Sequence, residues 1–161
     1  MNVSQELKQR AVQIGLCTQW TEEWGEPDKH ELCEKYVKGI DFCIEHNYPN
    51  TEYMKHYFDG IMQEHGIFVD EALSLVNPKM VIANGKCSGI VSFKDFGVGT
   101  MYVRHDSEIK IEADGFSKVF ISVYDNAKVE VVQKENAKVY VYLHGGKVKK
   151  TGEVLVRKRG G

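Results

Sequence analysis

The chain has 161 residues, 42% of them hydrophobic and 27% charged, with a formal net charge of −2, which suits a globular protein with a workable core. No run approaches the eighteen or so apolar residues of a membrane span, and the opening Met-Asn-Val-Ser-Gln-Glu has no signal-peptide character, so a cytoplasmic chain with no membrane partner is expected. The charge is uneven: residues 1–75 hold six Lys/Arg against fourteen Asp/Glu, a balance of −8, and residues 76–161 hold fifteen against nine, a balance of +6. Halves of opposite sign imply that the acidic part docks on or lies beside the basic part, with a basic surface for a polyanion as the alternative.

Asn2 with Gln5 three residues later has the pattern of a capping box, and Leu7, Ala11, Val12 and Ile14 keep helical spacing up to Gly15. Thr18 suits the cap of a short helical turn in which Trp20 and Trp24, four apart, share a face, as core or as a binding platform. A third helix follows Asp28, has Glu31 at the capping-box position, and closes at Asn47 and Pro49; its stripe is Leu32, Cys33, Tyr36, Val37, Ile40, Cys43 and Ile44. A fourth starts at Asn50 or Thr51, carries Tyr53, Met54, Tyr57, Phe58, Ile61 and Met62, and stops at Gly66. Residues 1–66 are therefore expected as a small helical unit and 67–78 as a connector, with Asn77-Pro78 at its end.

From about Lys79 to Arg157 an apolar-x-apolar unit returns about every ten residues between Gly-, Asn- or Asp-containing turns. The units begin at Val81, Ile90, Met101, Ile109, Val119, Val129, Val139, Val148 and Val154, and the clearest copies are Asp-Asn-Ala-Lys-Val-Glu-Val from Asp125 and Glu-Asn-Ala-Lys-Val-Tyr-Val from Glu135. First and third residues of a unit share one side of a strand and form the buried row. The middle residues, taken alternately, sort into Ile82, Tyr102, Phe120, Tyr140, Leu155 and into Val91, Lys110, Glu130, Lys149. That sorting follows if two units make one coil of a flattened solenoid, so that every second strand stacks in the same sheet. The expected fold is α+β, with a two-sheeted β-solenoid of about nine short strands over 79–157 and a flexible tail over 158–161. An antiparallel meander with tight turns is the rival. The closing Arg-Gly-Gly looks like the tail of ubiquitin-type modifiers, but the repeats do not read as a β-grasp fold, and a frayed end accounts for it.

No catalytic residue, cofactor or metal site is nominated. His30, Cys33, Cys43 and His46 are the ligand types of a zinc site, yet on one helix Cys33 and Cys43 stand about 15 Å apart along the axis, unless a break at Gly39 folds the halves together. Cys17, Cys33, Cys43 and Cys87 read as reduced thiols, and Gly97-Val98-Gly99 as a turn rather than a phosphate loop. The aromatic row Tyr102, Phe120, Tyr140 is the candidate partner face, to be covered by the helices or a second subunit, or to serve as a stacking platform for a sugar or single-stranded nucleic acid. Lys110, Glu130 and Lys149 read as a solvated ladder. Lys147, Lys149, Lys150, Arg157, Lys158 and Arg159, opposed only by Glu153, are the candidate nucleic-acid contacts.

Several stretches carry a resemblance: Gly15-Leu16-Cys17 with Trp20 and Trp24, Gly39-Ile40-Asp41-Phe42-Cys43-Ile44 running to Tyr48-Pro49, Phe68-Val69-Asp70-Glu71, and the Asp-Asn-Ala-Lys-Val repeats. Over nearly its whole length the chain resembles a group of proteins encoded by gut anaerobes and their phages and mobile elements, a group that implies no particular activity. The repeats alone are similar to polymer-forming β-solenoids such as bactofilins, which implies assembly by stacking where end coils stay uncapped. The expectation is a non-enzymatic binding or assembly module with a protein partner or a second copy of itself; nucleic-acid binding is the alternative.

Overall fold

The computed structural model describes residues 2–159 and divides between His65 and Gly66 into two compact units. The first holds five helices, α1 (Val3–Gln13), α2 (Thr18–Glu22), α3 (Lys29–Lys38), α4 (Ile40–His46) and α5 (Thr51–Phe58), and a 3-10 turn over Met62–His65. Its starts are chemically defined. Asn2 Oδ1 accepts the Gln5 N–H at 2.8 Å while Gln5 Oε1 accepts the Asn2 N–H, and Asp28 and Glu31 repeat the arrangement on α3. Asn50 Oδ1 takes the Tyr53 N–H of α5. Leu7, Ala11, Trp24, Leu32, Tyr36, Ile40 and Phe58 form much of the buried interior. No helix among the described residues is long and apolar enough to cross a membrane.

Two helices are shorter than their periodicity predicts. The third breaks at Gly39, which ends α3 and starts α4; a Cβ there would come within 3.4 Å of the Trp20 ring, so the glycine lets the indole pack against the joint. The fourth ends at Phe58 because Gly60 takes a left-handed φ of 87°, and the Gln63 amide secures the break by bonding the Gly60 N–H and the Asp59 carboxylate at 2.8 Å each.

The second unit is a β-solenoid of eleven strands: β1 (Ile67–Val69), β2 (Ala72–Val76), β3 (Met80–Asn84), β4 (Ser88–Phe93), β5 (Val98–Val103), β6 (Glu108–Ala113), β7 (Lys118–Val123), β8 (Lys128–Gln133), β9 (Lys138–Leu143), β10 (Lys147–Thr151) and β11 (Val154–Lys158). Odd strands form a six-stranded sheet and even strands a five-stranded sheet, with every pairing parallel, so the meander is excluded. Residues 67–78, expected as a connector, contribute β1 and β2. Their apolar positions are too few and too closely spaced to show the ten-residue rhythm. Lys158 closes β11 rather than starting a tail, while Gly160 and Gly161 of that expected tail lie outside the described residues.

From β3 to β9 the register places each residue beside the one twenty later, as in Val119↔Val139 and Ile111↔Val131. Every inward side chain therefore stacks on an equivalent one. Val81, Met101, Ile121 and Val141 make one such column and Val91, Ile111 and Val131 another, all essentially without exposure. Between strands lie four-residue turns whose second residue has positive φ (Asp95, His105, Gly115, Asp125, Glu135) and whose fourth is small, with Ser107, Ser117, Ala127 and Ala137 all buried. Stacked turns bond to each other as well, for example Asn126 N–H to His105 O at 3.1 Å.

One repeat unit is misread by periodicity. In β4 the inward residues are Val91 and Phe93, not Ile90, which is exposed and leads the outward row Ile90, Lys110, Glu130, Lys149. Phe93 is fully buried, and its ring sits 2.4 Å from where a Cβ on Gly99 would be. Gly99 is the inward partner of Val119, so the large ring fills the space that the glycine vacates.

Candidate interaction surface

The outward side chains of the six-stranded sheet run in three rows. Register gives Val98, Lys118 and Lys138 in the first, Thr100, Phe120, Tyr140 and Leu155 in the second, and Ile82, Tyr102, Ser122, Tyr142 and Arg157 in the third. The expected aromatic row of Tyr102, Phe120 and Tyr140 is thus divided. Phe120 and Tyr140 stack at 5.3 Å with planes 14° apart, whereas Tyr102 belongs one row over, in the row of Tyr142, because the pairing partner of Met101 is Ile121 and not Val119.

None of the six strands of this sheet contains Asp or Glu, while Lys118, Lys138, Arg157 and Lys158 lie on them and Arg159 follows directly. The cations engage the rings: Lys118 Nζ lies 5.4 Å from the Phe120 centroid and 5.9 Å from that of Tyr140, and the Arg159 guanidinium lies 5.0 Å from Tyr142. At the adjoining corner Phe96 and Phe116, 78% and 60% exposed, stack at 5.5 Å and 9°. With Val98 and Leu155, both more than half exposed, they give this side of the solenoid an apolar and cationic surface. Strand periodicity misses Phe96 and Phe116 because they sit in turns. Their signal is a twenty-residue separation at the same turn position.

Ring orientation decides what such a surface can hold. Each stacked pair turns its ring faces toward one another along the solenoid and leaves mainly edges outward, so successive bases or sugars have few faces to stack on. Apolar edges interleaved with ammonium and guanidinium groups suit an acidic protein surface better.

The six expected nucleic-acid contacts do not share a face. Lys147 and Lys149 are outward on the five-stranded sheet, and Arg157 and Arg159 belong to the other side. Lys150 occupies the inward register position beneath Val131, with its Nζ donating to Val154 O at 3.2 Å, and Lys158 pairs with Leu143 on the inward parity. Gln133, inward partner of Ala113, donates through Nε2 to the Ala137 carbonyl at 2.9 Å and accepts the Glu153 N–H at 2.9 Å. The core columns ending in Lys150, Lys158 and Gln133 give the C-terminal end a polar cap, where a coil stacked on top would bury charge.

The five-stranded sheet differs in character. Lys110, Glu130 and Lys149 are in register as expected, and Lys128 Nζ lies 3.6 Å from Glu108. A shallow groove of about 230 Å³ beside it is lined by Lys94, Lys134, Glu112 and Asp114, two charges of each sign. Its own charges balance, so it has little pull on a charged partner.

The titratable groups elsewhere are built into the fold. Burial pushes the Cys33 thiol up to about 11, with Glu34 adding to it, and burial also raises Cys87, so neither offers a thiolate near neutral pH. His105 accepts the Gly85 N–H at Nδ1 (2.9 Å) and gives its own backbone N–H to Asp125; burial, then the neighbouring Arg104, hold its pKa below the ordinary value. Arg104, 2% exposed, donates to Asn84 Oδ1 at 2.7 Å. His30 meets His65 at 3.1 Å rather than Cys33 and Cys43, and among the described residues no three His, Cys, Asp or Glu side chains are grouped to hold a metal ion. Trp24 is buried with its indole N–H on Ser4 Oγ, and Lys35 lies over both Trp20 and Trp24. Comparison with protein-family models, with curated proteins and with solved structures finds no match in any of the three.

Proposed function

We propose that this chain is a contact module, without chemistry of its own, whose β-solenoid presents the outer side of its six-stranded sheet to an acidic protein surface. One observation carries the reading: the six strands hold no acidic residue, while cations and half-buried aromatic rings occupy their outward positions around β7, β9 and β11, with the exposed rings of Phe96 and Phe116 at the adjoining turns. Such a surface attracts negative charge at long range and has apolar area to bury on contact. Its partner rows lie on rigid strands, so little ordering cost accompanies docking. The likeness to proteins of gut anaerobes and their phages and mobile elements adds two settings for such a contact, a component of a particle or a binder that blocks a host factor.

Titration with fluorescent poly-L-glutamate and with fluorescent oligothymidylate, each at low and high salt, tests the proposal. Binding of the polyglutamate that Lys118→Glu with Lys138→Glu abolishes supports it. Preferential binding of the oligothymidylate, with a logarithmic salt slope of about −0.7 per phosphate contacted, overturns it in favour of nucleic acid; binding of neither overturns both readings.

A further inference from the structure

Charge complementarity inside the sequence points to an occupant for the cationic sheet face. Residues 22–34 of the helical unit hold Glu22, Glu23, Glu26, Asp28, Glu31 and Glu34, all exposed, against Lys29 and His30, with Lys35 and Lys38 further along α3. We infer that the outer face of β7 and β9 binds this acidic segment of a second copy of the chain, an inference that rests on the contact-module reading above. Lys118 and Lys138 are exposed on the sheet, and the six carboxylates are exposed on the helical unit.

The spacings match. Glu31 and Glu34 are three residues apart on α3, a rise of about 4.5 Å, and Lys118 and Lys138 are direct partners on adjacent strands, about 4.8 Å apart. An α3 helix laid across the strands, along the direction in which coils stack, sets one carboxylate against each ammonium. Phe120 and Tyr140, in the next row, then meet the helix flank with their apolar edges.

The two surfaces are different parts of the chain, so the contact is heterologous, joining the solenoid of one copy to the helices of the next. The alternative of solenoid stacking end on end is opposed at the C-terminal end, where the exposed Lys150 and Lys158 stand at inward register positions that a further coil would cover. Contact between two cationic sheet faces is opposed by like charge.

Light scattering coupled to size exclusion, with absorbance at 260 and 280 nm, tests the inference on the full chain. Expected at low salt is a mass at least twice the 18.3 kDa of one chain, falling to one chain at high salt as the charges are screened. Lys118→Glu with Lys138→Glu should remain a monomer at low salt with unchanged circular dichroism. So should Glu31→Lys with Glu34→Lys, which keeps its helical signal at low temperature although loss of the Glu31 half of the α3 capping box lowers its melting temperature. Mixing the two variants should restore association, because each then offers the complement of the other. A wild-type monomer at every salt and concentration overturns the inference, as does an oligomer indifferent to both reversals or a mixture that stays monomeric. Polyglutamate binding by a wild-type monomer would leave the contact-module reading standing and this inference lost.

Discussion

Protonation of His105 opposes the hydrogen bond that its Nδ1 accepts from Gly85, and it places a second positive charge beside Arg104. Its folded pKa lies below the 6.5 of the free side chain, so the fold prefers the neutral ring. The resulting stability is fully present above about pH 6.5 and is lost as pH falls through that value toward the folded pKa. The thermal midpoint of the solenoid should therefore drop between pH 7 and pH 5, and His105→Asn, which tolerates the positive φ at that turn, should flatten this part of the profile. Parallel profiles for the two proteins would discard the idea. Gly99 makes a different demand. A methyl group there meets the Phe93 ring and the Pro78 carbonyl oxygen, both 2.4 Å from its position, so Gly99→Ala should destabilise by about 1–3 kcal/mol in urea unfolding. The same glycine hides the register from a reader of hydrophobic period. Counting from Met101 sets Tyr102 beside Phe120, because the inward slot two residues earlier carries no side chain to count.

At the scale of elements, the sequence is most legible where local chemistry acts alone. The Asn2 and Asp28 caps depend on residues three apart, and Asp28→Ala should cost about 1 kcal/mol of helical-unit stability, read by circular dichroism melts. Helix breaks are less legible, since Gly39 and Gly60 interrupt apolar stripes that continue on either side and only packing at the joint selects a break over a tolerated glycine. The strands of the first coil are hidden for another reason. Their offsets to the next coil are fifteen residues at Ile67↔Ile82 and sixteen at Leu73↔Gly89, not twenty, so they fall outside the rhythm that reveals the rest. In a stacked architecture stability accumulates between neighbouring coils. Ile121→Ala, with coils on both sides, should cost about 2–5 kcal/mol and lower the melting of the whole solenoid. Val156→Ala, on the last strand, should cost less and act mainly as local fraying, seen by hydrogen exchange confined to β11.

Across the whole molecule, alternate sorting of the repeat units reveals the parallel two-sheet architecture, because aromatic and charged middles separate only if strands two apart are neighbours. The composition of each face follows from that sorting, but the contact surface does not. Phe96 and Phe116 contribute from turns, Tyr142 shares a row with Tyr102 and not with Phe120 and Tyr140, and the terminal cations scatter over two faces and the exposed end of the stack. These positions depend on register, which is a property of stacked coils and not of any short window of sequence.

The twenty-residue register also turns length into a counted quantity. A second copy of residues 114–133 placed after Gln133 would thread one more loop into the middle of the stack and leave both ends with their own neighbours. The lengthened chain should fold, with β-sheet signal and melting temperature at or above the original. Ten extra residues would instead send every later strand to the opposite sheet, so that aromatic rows continue into charged ones. One extra residue within a strand would exchange inside for outside beyond that point. The architecture therefore accommodates added length in whole coils, and steps of other sizes fit only at its ends, where the offsets already depart from twenty.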